Sequence, residues 1–145
     1  MLRTLDRIKA ADEAWLSDPE IFMVNRLDAH SDHMYYEDKD AMYGDEMPLR
    51  QSLNGTWKIN YAVNIEASDR EFYKEDRDAT LYDDIKVPGH MELQGFGRCQ
   101  YINTMYPWEG SEDLRPPHIP REDAPVGCYV RYFDINPELA GKRTF

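Results

Sequence analysis

At 145 residues the chain has the length of one ordinary domain, and its 41% hydrophobic and 31% charged content is that of a globular protein. No apolar run approaches the length needed to span a bilayer, so the composition excludes a membrane-embedded helix. A formal net charge of −11, from 28 acidic and 17 basic residues, repels phosphate backbones and leaves no basic stripe, which argues against nucleic-acid binding.

The opening, MLRTLDRIKAADEAWLSDPE, scatters charges where a secretory signal would be continuously apolar, so a cytoplasmic location is expected. Leu2, Leu5, Ile8, Ala11 and Trp15 recur at helix-like intervals, which predicts a short amphipathic helix or a segment that orders only against a partner. From Ser17 to Arg50 no period is sustained, and the sequence reads as an extended arm. Such an arm cannot bury its own aromatics, so Phe22, Tyr35 and Tyr36 are expected to lie on another surface of the protein or on a neighbouring subunit. Residues 1–50 are therefore assigned to an assembly arm and 51–145 to the folded part.

Leu53, Asn54 and Gly55 form a turn into a strand in which Trp57, Ile59 and Tyr61 alternate with Lys58 and Asn60, with Trp57 expected in the core. The charge-dense stretch from Asn64 to Tyr82 reads as a loop. Ile85 and Val87 then lie in a short strand stopped by Pro88 and Gly89. Glycine and proline recur too often between Gly95 and Pro125 for any helix, which leaves a long irregular region of the kind that displays ligand contacts. Residues 128–135, CYVRYFDI, predict a further strand, and Asn136, Pro137 and Gly141 mark a single helical turn with its cap, first position and end. Cys99 and Cys128 are too few for a disulfide framework and lack zinc-site spacing, so both read as buried thiols. Short strands separated by such loops indicate an all-β fold, a β-sandwich or jelly roll. The strand count falls short of the roughly eight of a jelly roll, so the sandwich is expected to be incomplete. Unpaired edges and exposed apolar faces would leave the isolated chain poorly folded or aggregation-prone.

Several motifs occur in a fixed order: Asn25, Arg26, Leu27, Ala29 and His30; SLNGTW at Ser52 to Trp57; VPGH at Val87 to His90; LQGFG at Leu93 to Gly97; QYINTMYPW at Gln100 to Trp108; and PVGCYVRYF near the end. In this order they resemble the beginning of the family 2 β-galactosidases, across Trp15 to Asp32 and Leu49 to Phe145. The resemblance implies a galactose-binding-like jelly-roll domain preceded by an arm that supports subunit assembly, within a retaining enzyme that hydrolyses terminal β-D-galactosides such as lactose. It further implies a homo-oligomer when complete, and partnership with the remainder of the enzyme. Two departures stand out: Ala14 and Leu16 flank Trp15 where an acidic residue is expected, and Met91 replaces a tryptophan.

Retaining hydrolysis uses two carboxyl groups about 5–5.5 Å apart, which the family supplies as glutamates from a barrel of about 250 residues. That barrel does not fit in this chain, and Glu92, Glu109, Glu112 and Glu122 read as solvated loop charges. No catalytic residue is assigned. The resemblance makes Asn103 the substrate-binding residue, because the matching asparagine reaches the galactose subsite, and an amide offers both donors and an acceptor to a sugar hydroxyl. Tyr101, Tyr106 and Trp108 flank it as a sugar-facing wall or, more simply, as loop anchors, while His30, His33 and His90 read as structural. Magnesium, and sodium in some members, is expected for the complete enzyme with principal ligands from later regions. A secondary contact near Asp18 is not assigned, because the match there is imperfect. Two further readings remain open: a donor fragment that restores a deficient enzyme, and a free-standing carbohydrate-binding module.

Overall fold

The computed structural model describes residues 13–24, 28, 29, 31, 34–44, 49–99 and 112–142. In chain order these form a 3₁₀ turn (Glu13–Ser17), α1 (Lys39–Tyr43), β1 (Gly55–Ala62), β2 (Asp83–Val87), a 3₁₀ turn (Glu92–Gln94), β3 (Val126–Val130) and a last 3₁₀ turn (Pro137–Leu139). The strands make one antiparallel sheet in the order β2-β1-β3. The fold is all-β as expected, and among the described residues its three strands fit an incomplete sandwich. None of the described helices is long and apolar enough to cross a membrane.

The sheet is staggered. β1 pairs with β2 from Gly55↔Val87 to Ile59↔Asp83, and with β3 from Lys58↔Val130 to Ala62↔Val126, so only Lys58 and Ile59 are flanked on both sides. Ile59 accordingly is fully buried, at 0% exposure. Directly paired residues share a face of the sheet, which places Trp57, Ile59, Tyr61, Ile85 and Tyr129 together on one side. Gly127 leaves them room: a β-carbon there would lie 2.8 Å from Tyr129 Cε2 and 3.3 Å from Ile59 Cδ1.

The other face is covered by the loop between β1 and β2, through Asp69. Its backbone N–H donates to Asn60 Oδ1 at 3.3 Å, and its carbonyl accepts from Cys128 Sγ at 3.6 Å. Its carboxylate accepts from the Glu71 amide at 3.0 Å, from Arg77 Nε at 2.5 Å and from the Tyr82 hydroxyl. Lys58 reaches over the same face to the Tyr82 carbonyl at 3.2 Å and to Asp84 at 2.8 Å. Ala62 and Cys128 of the sheet and Ala79 and Tyr82 of this loop are buried, and they join Ile59 and Ile85 as the buried apolar residues of the described structure.

Four sequence expectations are corrected. Trp57 is half-buried rather than core, because its Nε1 turns to donate to the Leu53 carbonyl at 2.7 Å. The strand expected over 128–135 runs from Val126 to Val130 instead. Beyond it side chains replace the backbone ladder: Arg131 donates to the carbonyls of Leu53 and Asn54, and Gln51 bridges the Asp134 carbonyl at 2.7 Å and the Asn136 amide at 2.8 Å. Cys128 is buried as expected, whereas Cys99 is exposed. The arm is not extended throughout, since Asp38 caps α1 by accepting from the Ala41 amide at 2.9 Å and Gly44 closes it.

The capped turn at Asn136 forms as expected, its side chain accepting from the Glu138 amide at 3.1 Å. In the arm, Trp15 lies in the first 3₁₀ turn, whose Glu13 pairs with Arg70 and, at 3.8 Å, with Arg121. Residues 1–12 of the expected amphipathic helix lie outside the described residues. Phe22 and Tyr35 are exposed and Tyr36 is half-buried.

Two predictions follow the packing. Ile59→Ala is expected to cost about 2–5 kcal/mol against about 0.5–1.5 kcal/mol for Ile59→Val, read as shifts in urea midpoint; equal effects would show an unpacked site. Asp69 is held below the usual aspartate range, first by the Tyr82 hydroxyl and then by the Glu71 amide and Arg77, with burial opposing. Its contribution to stability is therefore complete above the ordinary aspartate pKa and is lost as pH falls through the depressed folded value. The stability gap between the native chain and Asp69→Asn should shrink on acidification, and a gap independent of pH down to 3 would contradict this.

Candidate functional site

Beyond β2 the chain builds one wall of an open cavity of about 850 Å³, bounded among the described residues by Tyr61, His90, Met91, Arg98, Cys99 and Asp123. The wall is fixed by Gln94. Its side-chain amide accepts from the Lys86 N–H at 2.7 Å and donates to the Lys86 carbonyl at 3.0 Å, so it satisfies both backbone groups of Lys86 on the outer edge of β2. Such an edge is otherwise a template for unwanted pairing. Gly89 makes the return possible, since a β-carbon there would lie 2.7 Å from Gln94 Nε2 and 2.9 Å from the Lys86 carbonyl.

The 3₁₀ turn ends at Gly95, with φ of 95°, in the left-handed region that favours glycine. Phe96 then packs on Tyr61 with ring centroids 6.2 Å apart. Gly97 follows at φ 83°, and a β-carbon there would approach the Tyr61 hydroxyl to 3.1 Å. Gly89 and Gly97 thus serve a backbone that must pass close to Gln94 and Tyr61, while Gly95 serves a left-handed turn in open space.

Arg98 Nη2 donates to Asp123 Oδ2 at 2.8 Å, and Glu112 contacts the same stretch of chain. Its Oε2 accepts from the Arg121 amide at 3.0 Å, while Oε1 accepts from the Glu122 and Asp123 amides at 2.9 and 3.1 Å. The reading of Glu112 as a solvated charge is therefore corrected: it is half-buried and holds three consecutive amides. The Arg121 and Asp123 amides, and then the Glu122 amide, keep its carboxyl below the usual glutamate range against the effect of burial.

A catalytic acid needs the opposite shift, so the direction at Glu112 does not suit that role. Glu122 is exposed, and Glu92 is half-buried at the cavity. Glu109, Asn103, Tyr101, Tyr106 and Trp108 lie outside the described residues, as do His30 and His33. His90 is exposed at the cavity rather than packed in the turn, and its carbonyl accepts from Gln94 Nε2 at 3.4 Å. Among the described residues no group of three or more His, Cys, Asp or Glu side chains is placed to hold a metal. Asp18 accepts from the Glu20 amide at 3.0 Å through one carboxylate oxygen.

Neither Gln94 nor Glu112 was singled out by sequence reasoning. Gln94 stands five residues after Gly89, within reach of a turn, and a search for polar side chains beside a Pro-Gly strand end would find it. Glu112 meets residues 9 to 11 positions later across a proline-rich stretch, and no periodicity marks such a contact.

Comparison with known proteins gives this arrangement its setting. Residues 50–144 match the family described as glycosyl hydrolases family 2, sugar binding domain. The β-galactosidase of Clostridium acetobutylicum is 54% identical over 132 residues, which cover 90% of this chain and 15% of that protein. That of Streptococcus thermophilus is 51% identical over 92% of this chain and 13% of its own length. The β-galactosidase large subunit of Leuconostoc lactis is 43% identical over 92% of this chain and 23% of its own length. The chain thus spans less than a quarter of each of these relatives, and by the match of most of its length it belongs to the sugar binding domain family of the family 2 glycosyl hydrolases.

Proposed function

We propose that the chain works as the leading part of a retaining β-D-galactosidase acting on terminal β-D-galactosides such as lactose, to which it contributes sugar-binding-domain residues and no catalytic carboxylate. The observation that carries this reading is the 54% identity over 90% of the chain to a protein named β-galactosidase. The carboxylate chemistry supports the second half. Glu112, the described loop glutamate with the most hydrogen-bonded carboxylate, is committed to three backbone amides, whereas retaining hydrolysis needs a nucleophile and an acid facing each other.

In this reading residues 1–50 are an assembly arm, residues 51–145 belong to the sugar-binding domain, and Asn103 contacts a sugar hydroxyl. The complete enzyme is a cytoplasmic homo-oligomer that uses magnesium, and in some members sodium, bound by residues of other segments. An assembly role within the same enzyme is favoured by the exposed Leu16, Phe22, Tyr35 and Tyr43 of the arm, which offer apolar surface to a neighbouring part of the enzyme. A donor-fragment activity would draw on the same surface.

The test is a graft. The chain replaces the matching segment of the Clostridium acetobutylicum β-galactosidase, and lactose hydrolysis is measured. Hydrolysis is expected to persist, and Asn103→Ala in the graft to lower kcat/KM about tenfold, the loss of one uncharged hydrogen bond. A well-folded graft without activity would overturn the proposed function, and unchanged kinetics for Asn103→Ala would remove that residue from the site.

A further inference from the structure

Between β1 and β2, residues 64–81 fold into turns of their own. Their described backbone bonds are local, from Ser68 to Ile65, Phe72 to Asp69, Lys74 to Glu71 and Arg77 to Lys74. Among the described residues, side chains supply or receive every hydrogen bond that ties this stretch to the sheet and its flanks. The Asp69 amide donates to Asn60 Oδ1 at 3.3 Å, and Cys128 Sγ donates to the Asp69 carbonyl at 3.6 Å. The Tyr82 hydroxyl donates to the Asp69 carboxylate, and the Tyr132 hydroxyl donates to the Arg77 carbonyl at 3.1 Å. All but the last pass through Asp69.

Asp69 is gripped from two sides. Its main chain meets Asn60 and Cys128, which pair across β1 and β3 and therefore share a face of the sheet. Its carboxylate, on a side chain that is 10% exposed, meets Tyr82, whose own carbonyl accepts from Lys58 at 3.2 Å and is thereby fixed beside the start of β2. Arg77 Nε, at 2.5 Å from the same carboxylate, closes the loop on itself.

We propose that residues 64–81 are a cover pinned to the sheet by Asp69, and that this cover lifts as one unit, with β1 still paired to β2 and β3, to bare the face that carries Asn60, Ala62 and Cys128. Local openings are drawn from segments that bury few apolar side chains, and Ala79 is the one buried residue of 64–81. The arm holds the cover from outside: Arg70, next to the pin, pairs with Glu13 of the first 3₁₀ turn. That guanidinium side chain is 56% exposed, so the pair contributes less than the charge-assisted bonds at Asp69. None of this depends on the galactosidase reading.

Cys128 serves as the reporter of opening. The residue is 3% exposed, and burial first, then the Asp69 charge, push its thiol up against the effect of the bond to the Asp69 carbonyl. Under the closed cover the thiol is screened and protonated, and lifting the cover removes both restraints. Cys99 is the other cysteine of the chain and is exposed, so Cys99→Ser leaves Cys128 as the single thiol.

The test is N-ethylmaleimide labelling of Cys128 in the 145-residue Cys99→Ser chain, read by mass spectrometry beside amide exchange in β1. Cys128 is expected to become accessible at least about tenfold more often than the β1 amides. Its labelling should change little across low urea concentrations over which β1 exchange rises steeply, because a local opening exposes little surface. Asp69→Asn should raise the labelling rate about tenfold, Tyr82→Phe severalfold and Glu13→Gln least, each with a smaller change in β1 exchange. Labelling that matches β1 exchange in rate and urea dependence would overturn the cover, as would β1 amides without protection, since the sheet must stay paired beneath it. Unchanged labelling in Tyr82→Phe and in Asp69→Asn would overturn the pin. Should Asp69→Asn fail to fold, Tyr82→Phe and the parent chain decide between these outcomes.

Discussion

Only Lys58 and Ile59 of β1 carry a neighbouring strand on both sides, and the described sheet is organised around that overlap. The first half of β1 belongs to β2 and the second half to β3, so a one-residue slip on either side would turn its inward residues to the opposite face. Ile59 resists such a slip because it fills the space that Gly127 leaves open beneath Tyr129. With six buried apolar residues in the described structure, little else holds the sheet in register apart from polar contacts. The loop anchored on Asp69 supplies many of these, and it covers one face without any regular structure of its own.

The motifs that tie the chain to its family take on a common meaning in this geometry. Four of them place a glycine where backbone passes close to a polar or aromatic side chain: Gly55 beside the Arg131 guanidinium, Gly89 beside Gln94, Gly97 beside Tyr61 and Gly127 beside Tyr129. The partner side chains then do what a further strand or a longer helix would otherwise do. Gln94 closes the edge of β2, Arg131 and Gln51 hold residues 131–136 beside the turn that opens β1, and Glu112 gathers the 121–123 amides. The same device that stabilises the fold also shapes the cavity.

What could be read from the sequence follows the range of the interactions. The strands of Trp57 and Ile85 and the capped turn at Asn136 depend on neighbours in the chain, and alternation, Pro-Gly stops and capping residues announced them. The far end of the strand beginning near Cys128 was misread because its β-branched and aromatic residues suit a strand, while Arg131 and Gln51, 80 positions apart, take over the hydrogen bonding. Glu112 was misjudged for a related reason: a charged residue in a loop looks solvated until the amides that surround it are known. The short helix of the arm was not read from the sequence, because its few apolar residues show no sustained period, although Asp38 caps it and Gly44 closes it. Asn103 rests on resemblance alone, since neither alternation nor capping speaks to what a loop asparagine touches.

The central claim is that this chain brings a sugar-contacting segment to a galactosidase site whose catalytic carboxylates come from elsewhere. A crystal structure of the grafted enzyme, inactivated and soaked with a galactoside, tests it most directly. The Asn103 amide is expected within about 2.7–3.2 Å of a galactose hydroxyl, with no carboxylate of residues 1–145 beside the scissile bond. A bound sugar whose shell contains no residue of 100–111, or a carboxylate of this chain at the scissile oxygen, would contradict the account.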